Sequence, residues 1–458
     1  MRSENDRLKD YISVVIHAED REHVVAPPRQ TTHPLETAKR FLAQKAKEFY
    51  WTATRLVGLG YLHDGSTNLR VWRRALQKFL AAHPSSAATP APGRRFFIDV
   101  TQLLLTERIT GIQRVALEVC LSAMRQGGVP VFLHDGHAWA CLIAGQPPRP
   151  VEIAPGDKLI LAGAWWAAPA QTAAVIEAFS QKGGSTVTIL FDLFPLLYRE
   201  ICSNVENFVV WFDRIVLASD AVVCISQAVA DELIELMSQQ KRPFKPGLRL
   251  GWQGLGADFS SGADEQPSQQ ALSISEGKTP FFLGVSTLEP RKGYAIALDA
   301  FDKLWREGAD ASYVIVGREG WLVSALKRRI LSHPEYGRRL FWLDNAGDAD
   351  LRQLYSSAHA LVFASIAEGY GLALAEAAHY GLPAIVSDIP VFREIAGDSA
   401  AYFQLGDADM LALRLREALA APKTAPAIPI VSWREATENL LAMIESDAYQ
   451  YGQLSARL

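Results

Sequence analysis

Residues 364–388 read ASIAEGYGLALAEAAHYGLPAIVSD. The apolar run ALVFA (360–364) leads in as a strand, and a turn carrying Gly369 and Gly371 follows it. A helical stretch then ends near Gly381-Leu382-Pro383, where PAIVS (383–387) starts the next strand. Strands that are apolar throughout, joined by a helix, indicate a parallel sheet covered on both faces. Working outward, FFLGV (281–285), YVIVG (313–317) and LFWL (340–343) repeat the pattern. Upstream of the polar interval 260–279 it appears again, with strands expected at 96–100, 130–134, 158–162, 186–191 and 221–225. Helices are expected between them at 111–126, 169–181, 204–218 and 227–238. Two consecutive doubly wound α/β units imply two sheets and a cleft facing their carboxyl edges.

Length agrees with that division, since 458 residues exceed what one core usually organises. Hydrophobic residues at 49% and charged residues at 21% exclude a largely disordered chain. A formal net charge of -4 argues against nucleic acid as a partner. Cys120, Cys141, Cys202 and Cys224 form no CxxC pair, which suits a reducing compartment better than a disulfide framework. The charged start MRSENDRLKD lacks the apolar core of a secretion signal. The longest apolar run, 159–170, falls short of the about 20 residues a membrane span needs. The expectation is a cytoplasmic protein of several domains, its oligomeric state unspecified.

Residues 1–92 differ in character. The stretch 34–83 looks helical, and carries Lys/Arg at 39, 40, 45, 47, 55, 70, 73, 74 and 78 among aromatic residues. Such a helix suits an anionic membrane surface, which would place the protein peripherally at the inner face. The alternative is an extension packed on the main body with its cations in water. HPSSAATPAPG (83–93) reads as a linker. The domain bounds that follow are 1–92, 93–260, 275–430 and a closing helix within 431–458.

Two segments carry chemistry. In the first, Glu368 lies at the turn and Glu376 eight residues on, about two helical turns later. Gly369 and Gly371 allow close backbone approach to a ligand, and the helix start offers N–H groups to an anion. Glu376 supplies a carboxylate that can accept from paired hydroxyls. In the second segment, STLEPRKGYAIALDAF (286–301), Arg291 and Lys292 sit in a turn opened by Pro290, before a helix starting near Gly293. Adjacent cations at a strand-to-helix turn can neutralise a diphosphate and stabilise it as a leaving group.

Residues 281–405 resemble the donor-binding half of the retaining, nucleotide-sugar-dependent glycosyltransferases of family 4, which have the two-domain GT-B architecture. GVSTLEPRKG (284–293), YVIVG (313–317), EGYGLALAE (368–376) and HYGLPAIVSDIPVFREIAGDSAAYF (379–403) carry the resemblance. It implies that Arg291 and Lys292 bind the donor diphosphate and that Glu368 hydrogen-bonds the transferred sugar. It further implies that amides of Gly369, Tyr370, Gly371 and Leu372 contact sugar and phosphate, and that Glu376 takes the ribose hydroxyls. No metal or other cofactor is implied; a nucleoside-diphosphate sugar is the co-substrate, with a GDP-sugar preferred.

The first half resembles the family's acceptor-binding domain. FFIDVTQLLLTERITGIQRVALEV (96–119) is similar to the opening strand, loop and helix, with Gly111 where the donor phosphate approaches and Arg114 as an added charge or a surface residue. FDLFPLLYRE (191–200) is similar to the HDxxP segment, except that Phe191 replaces the histidine and leaves Asp192 as the polar member. VSWREATENLLAMI (431–444) resembles the helix that crosses back onto the first domain.

His134-Asp135-Gly136-His137 lacks further clustered ligands and reads as loop rather than metal site. GxSxG, Walker A and GxGxxG motifs are missing from the sequence. The function implied is transfer of a hexose, mannose by preference, onto a glycan or lipid-linked saccharide in surface polysaccharide or lipopolysaccharide assembly. The alternatives are a catalytically silent scaffold on the same fold and a nucleotide-sugar epimerase.

Overall fold

A computed structural model describes residues 12, 69–84, 90–105, 111–142, 146–166, 168–258, 266–421 and 423–458. Two compact units divide the chain, and the division does not fall at the polar interval 260–279. Ile189–Val209 and Ala221–Leu458 belong to one unit; the described residues 69–188 and Val210–Asp220 belong to the other.

The unit holding residues 281–405 is built on a six-stranded, wholly parallel sheet. Its order is Leu340–Leu343, Ser312–Val316, Phe281–Val285, Ala360–Phe363, Ala384–Ser387, Ala401–Phe403. Numbered along the chain that is 3-2-1-4-5-6, the doubly wound order. All five strands expected after residue 280 are present; four are buried over most of their length because helices cover both faces, and the edge strand Leu340–Leu343 leaves Phe341 and Trp342 partly exposed. The order reverses between Phe281–Val285 and Ala360–Phe363, and the turns leaving those two strands carry Arg291, Lys292 and Glu368. Ligands of such sheets bind at this switch point.

The same unit contains a smaller set of strands: Ala221–Cys224 runs parallel to Arg249–Trp252, which pairs antiparallel with Gly452–Gln453. The closing helix, Trp433–Ser446, buries Trp433, Leu440, Leu441 and Ile444. Trp433 donates its N–H to Asp258 Oδ1 at 2.6 Å, so the helix docks on residues 251–258. Within the polar interval the sequence reading missed a helix, Gln269–Ser275, capped by Ser268 and seated on Asp350 through the Ser268 N–H at 2.6 Å. A seven-residue helix with one fully buried side chain, Ala271, leaves too little apolar periodicity to be seen in sequence.

In the other unit Phe96–Asp99 pairs in parallel with Val129–His134 and Lys158–Leu161, and the last with Ser185–Leu190. The 134–137 segment is a hairpin: His134 ends one strand, His137 begins the next, and Asp135 (φ 48°) with Gly136 (φ 70°) forms the two-residue turn. Asp-Gly is the favoured pair for that left-handed turn, a signal the loop reading left unused. Of the stretch 34–83, the described part is the helix Leu69–Ala82, which buries Trp72 and Leu76 and stacks Trp72 on Phe132 at 5.6 Å. That portion packs on the main body; residues 34–68 lie outside the described residues. No helix among the described residues is long and apolar enough to cross a membrane.

Candidate active site

Pro290 opens a short 3-10 turn, Pro290–Lys292, directly after the first strand of the six-stranded sheet. Gly293 ends it with φ 65°, and a Cβ there would lie 1.9 Å from the Ala364 carbonyl oxygen. Only glycine permits both the left-handed backbone and that approach. The contact, with Ile366 N–H donating to the Arg291 carbonyl at 2.8 Å, presses the cationic turn against the turn that carries Glu368.

The side chains interlock. Lys292 Nζ donates to Glu368 Oε1 at 2.5 Å, and Arg291 Nη1 to Glu368 Oε2 at 3.2 Å. Arg291 Nε pairs with Glu289 Oε2 at 2.8 Å, and Ser365 Oγ donates to Glu368 Oε1 at 2.7 Å. The Arg291 guanidinium also covers the Phe194 ring at 4.7 Å. Burial would push the Glu368 carboxyl up, yet Lys292 and Arg291 hold it below its ordinary value. Burial and then the Arg291 charge pull the Lys292 ammonium down. The sequence reading assigned no acid to these two adjacent cations; the structure pairs them with Glu289 and Glu368. One Lys292 N–H donor is used by Glu368, and among the described residues Arg291 Nη2 has no partner. Those remaining donors can reach a phosphate.

Glu368 does not share a helix with Glu376. The helix runs Leu372–His379 with Gly371 (φ 95°) as its N-cap, so Glu376 sits one turn in rather than two turns beyond Glu368. Tyr355 donates to Glu376 Oε2 at 2.8 Å, and Tyr355 stacks on Tyr380 at 5.7 Å. Glu376 is thus oriented by a buried phenol, a partner 21 residues away that sequence reading missed.

The glycines also take a different explanation. A Cβ on Gly369 would lie 1.9 Å from the Phe191 carbonyl oxygen, and one on Gly371 would lie 2.8 Å from the Phe392 ring. Their lack of side chains is demanded by the protein's own packing. Ser226 Oγ donates to the Gly369 carbonyl at 2.7 Å, and the Tyr370 hydroxyl to the Leu255 carbonyl at 3.1 Å. Glu394 accepts from the N–H groups of Gln227 and Ala228 at 2.8 and 2.9 Å. Strand ends and loops at 190–192, 225–228 and 365–371 therefore converge.

Asp192 joins this cluster electrostatically. Burial pushes its carboxyl up to about 6; Arg291 and the Phe194 N–H at 3.3 Å oppose the rise, while Glu289 and Glu368 add to it. Phe191, in the place where the family has histidine, is buried. Arg291, Lys292, Glu368 and Asp192 are thus brought together with Glu289, Phe194 and Ser365, which the sequence reading did not assign. Gly111 starts the helix Gly111–Met124 of the other unit, and a Cβ there would meet nothing within 4 Å. Among the described residues no group of three or more His, Cys, Asp or Glu is placed to share a metal ion.

Residues 265–428 match the family described as glycosyl transferases group 1. The chain is 32% identical over 375 residues to the serotype-specific mannosyltransferase WbdA of Escherichia coli, covering 76% of this chain and 46% of that protein. It is 32% identical over 130 residues to the O-antigen chain mannosyltransferase RfbU of Salmonella typhimurium, covering 28% of this chain and 36% of that one. The chain spans less than half the length of these curated relatives. Among solved structures, Alr3699/HepE of Anabaena in complex with UDP is similar at 16% identity and a TM-score of 0.50, covering 80% of this chain and 97% of that one. That likeness shows the GT-B fold, and the chain carries a glycosyl transferases group 1 domain over residues 265–428.

Proposed function

We propose that the protein is a retaining, metal-independent glycosyltransferase. It moves a hexose, mannose by preference, from a nucleoside diphosphate, GDP by preference, to a glycan or lipid-linked saccharide. The observation that carries this is the Arg291–Lys292–Glu368 cluster at the switch point of the 3-2-1-4-5-6 sheet, with Glu376 in the helix that follows. The similarity to WbdA and RfbU, both named as mannosyltransferases, supports mannose.

In this reading the bond between the sugar's anomeric carbon and the diphosphate breaks as the acceptor oxygen attacks from the same face. The acceptor's proton passes to the departing phosphate oxygen, so no side-chain base is required. Arg291 and Lys292 stabilise the charge that grows on the diphosphate, in a buried setting where preorganised cations act most strongly. Glu368 orients both cations and takes a hydroxyl of the transferred sugar. Glu376 takes the ribose hydroxyls.

A thermal-shift panel of nucleotide-sugars tests the donor. GDP-mannose at a hundred times its Kd should stabilise the fold by about 2.7 kcal/mol, a clear rise in Tm. Glu376→Gln, which keeps an oxygen for Tyr355, should weaken nucleotide affinity about tenfold, since a charge-assisted hydrogen bond is replaced by a neutral one. Equal shifts in both proteins would remove Glu376 from the site.

Asp192 gives the pH dependence. As an ionised acceptor it would orient the attacking hydroxyl, and its carboxyl titrates at about 6. The ionised fraction rises with pH, so kcat/KM should climb through about pH 6 and flatten above it. Asp192→Asn should abolish that limb; a profile unchanged by the substitution would exclude the role.

A further inference from the structure

Glu376 lies one turn into the helix Leu372–His379, and only 7% of the residue is exposed. A carboxylate so placed is costly unless it is hydrogen-bonded. A glutamate free to rotate would also lose side-chain entropy to any ligand that must hold it still. The Tyr355 hydroxyl meets both demands by donating to Glu376 Oε2 at 2.8 Å.

Tyr355 is itself held in place. It belongs to the helix Asp348–Ser357, has no exposed surface, and stacks parallel on Tyr380 at 5.7 Å. Tyr380 in turn caps the helix that bears Glu376, its N–H donating to the Glu376 carbonyl at 3.2 Å. Two helices are thus tied together through the ring pair, and the phenol keeps one direction of approach to the carboxylate.

Exposure separates the two side chains. The phenol reaches Oε2 from the protein interior, while the surface left open belongs to Glu376. A ligand therefore meets the carboxylate and never the phenol, so any effect of Tyr355 on binding acts through Glu376. The carboxylate is ordered when the chain folds, and a ligand with two neighbouring hydroxyls finds it already aimed. A ligand without those hydroxyls leaves the same carboxylate desolvated and unmatched, which is how a site of this kind rejects an analogue.

We propose that Tyr355 is a positioning residue that sets the preference of the donor site for ribose over deoxyribose. The inference rests on the reading above in which Glu376 takes the ribose hydroxyls, and no bond-making step falls to Tyr355. The test measures binding of GDP and UDP to the full chain, each beside its 2′,3′-dideoxy counterpart, so that the base does not decide the result. Wild type should prefer the ribose forms about 100-fold, the scale of hydrogen bonds to a charged group. Tyr355→Phe keeps the ring and its stack on Tyr380 and removes only the donor. The preference should then fall to about tenfold, through weaker binding of the ribose forms alone. A bond that served the fold only would lower Tm and leave the preference unchanged, and that outcome overturns the inference. Equal loss of affinity for ribose and dideoxyribose forms overturns it too. A wild-type chain that binds nucleotide without discriminating overturns the role of Glu376 with it, and one that binds no nucleotide overturns the whole donor-site reading.

Discussion

Arg291→Ala is expected to lower kcat/KM about 10³-fold, the scale set by removing a preorganised charge from a developing anion. The same substitution should cost about 3–5 kcal/mol of stability, because two buried carboxylates lose their partner. Glu289 would keep no cation at 2.8 Å, and Glu368 would keep only Lys292. The two effects separate with Arg291→Lys, which restores a positive charge but not the fork that reaches Glu289 and Glu368 together. Stability should recover in part while the rate stays more than about tenfold down. Steady-state kinetics with saturating donor, paired with urea melts, reads both quantities. A rate within threefold of wild type for Arg291→Ala would end the assignment of the diphosphate to this turn.

Gly369→Ala should be nearly as severe, for a steric reason. The new Cβ would be placed 1.9 Å from the Phe191 carbonyl, against backbone that cannot swing aside like a side chain. Overpacking of this kind costs about 1–3 kcal/mol. Relief must come from moving the 190–192 segment or the 365–371 turn, which displaces Asp192 from the Arg291 cluster. A misplacement near 1 Å can slow a positioned reaction about 10²-fold, so transfer should fall by that much. Nucleotide binding, which the proposed role of Glu376 places beyond the turn, should fall less. If Gly369→Ala both melts and turns over like the wild type, the convergence of these loops has no bearing on activity.

Both predictions depend on features that differ in how visible they are along the chain. The alternation of apolar strands with helices, the Pro-Arg-Lys-Gly turn and the Glu368–Glu376 spacing are written in contiguous residues. So five strands of the six-stranded sheet, the turn at Pro290–Lys292 and the helix Leu372–His379 are readable from sequence, whereas the short edge strand Ala401–Phe403, with only Phe403 buried, is not. The Asp135-Gly136 hairpin was equally local and only needed its turn chemistry to be taken seriously. By contrast, Ser226 meets Gly369 across 143 residues, and Glu394 meets Gln227 across 167.

The sequence by itself therefore determined a doubly wound α/β chain with cations and acids at the ends of particular strands. Tertiary structure alone decided that Glu289 and Glu368 neutralise those cations, that Tyr355 aims Glu376, and that Gly369 is a packing contact for Phe191. The physical reason is that buried parallel strands are all alike in pattern, apolar from end to end, so nothing local records which two lie side by side. Only their hydrogen-bonded order brings distant turns within reach, and charge neutralisation, burial and steric fit exist only once that order is made.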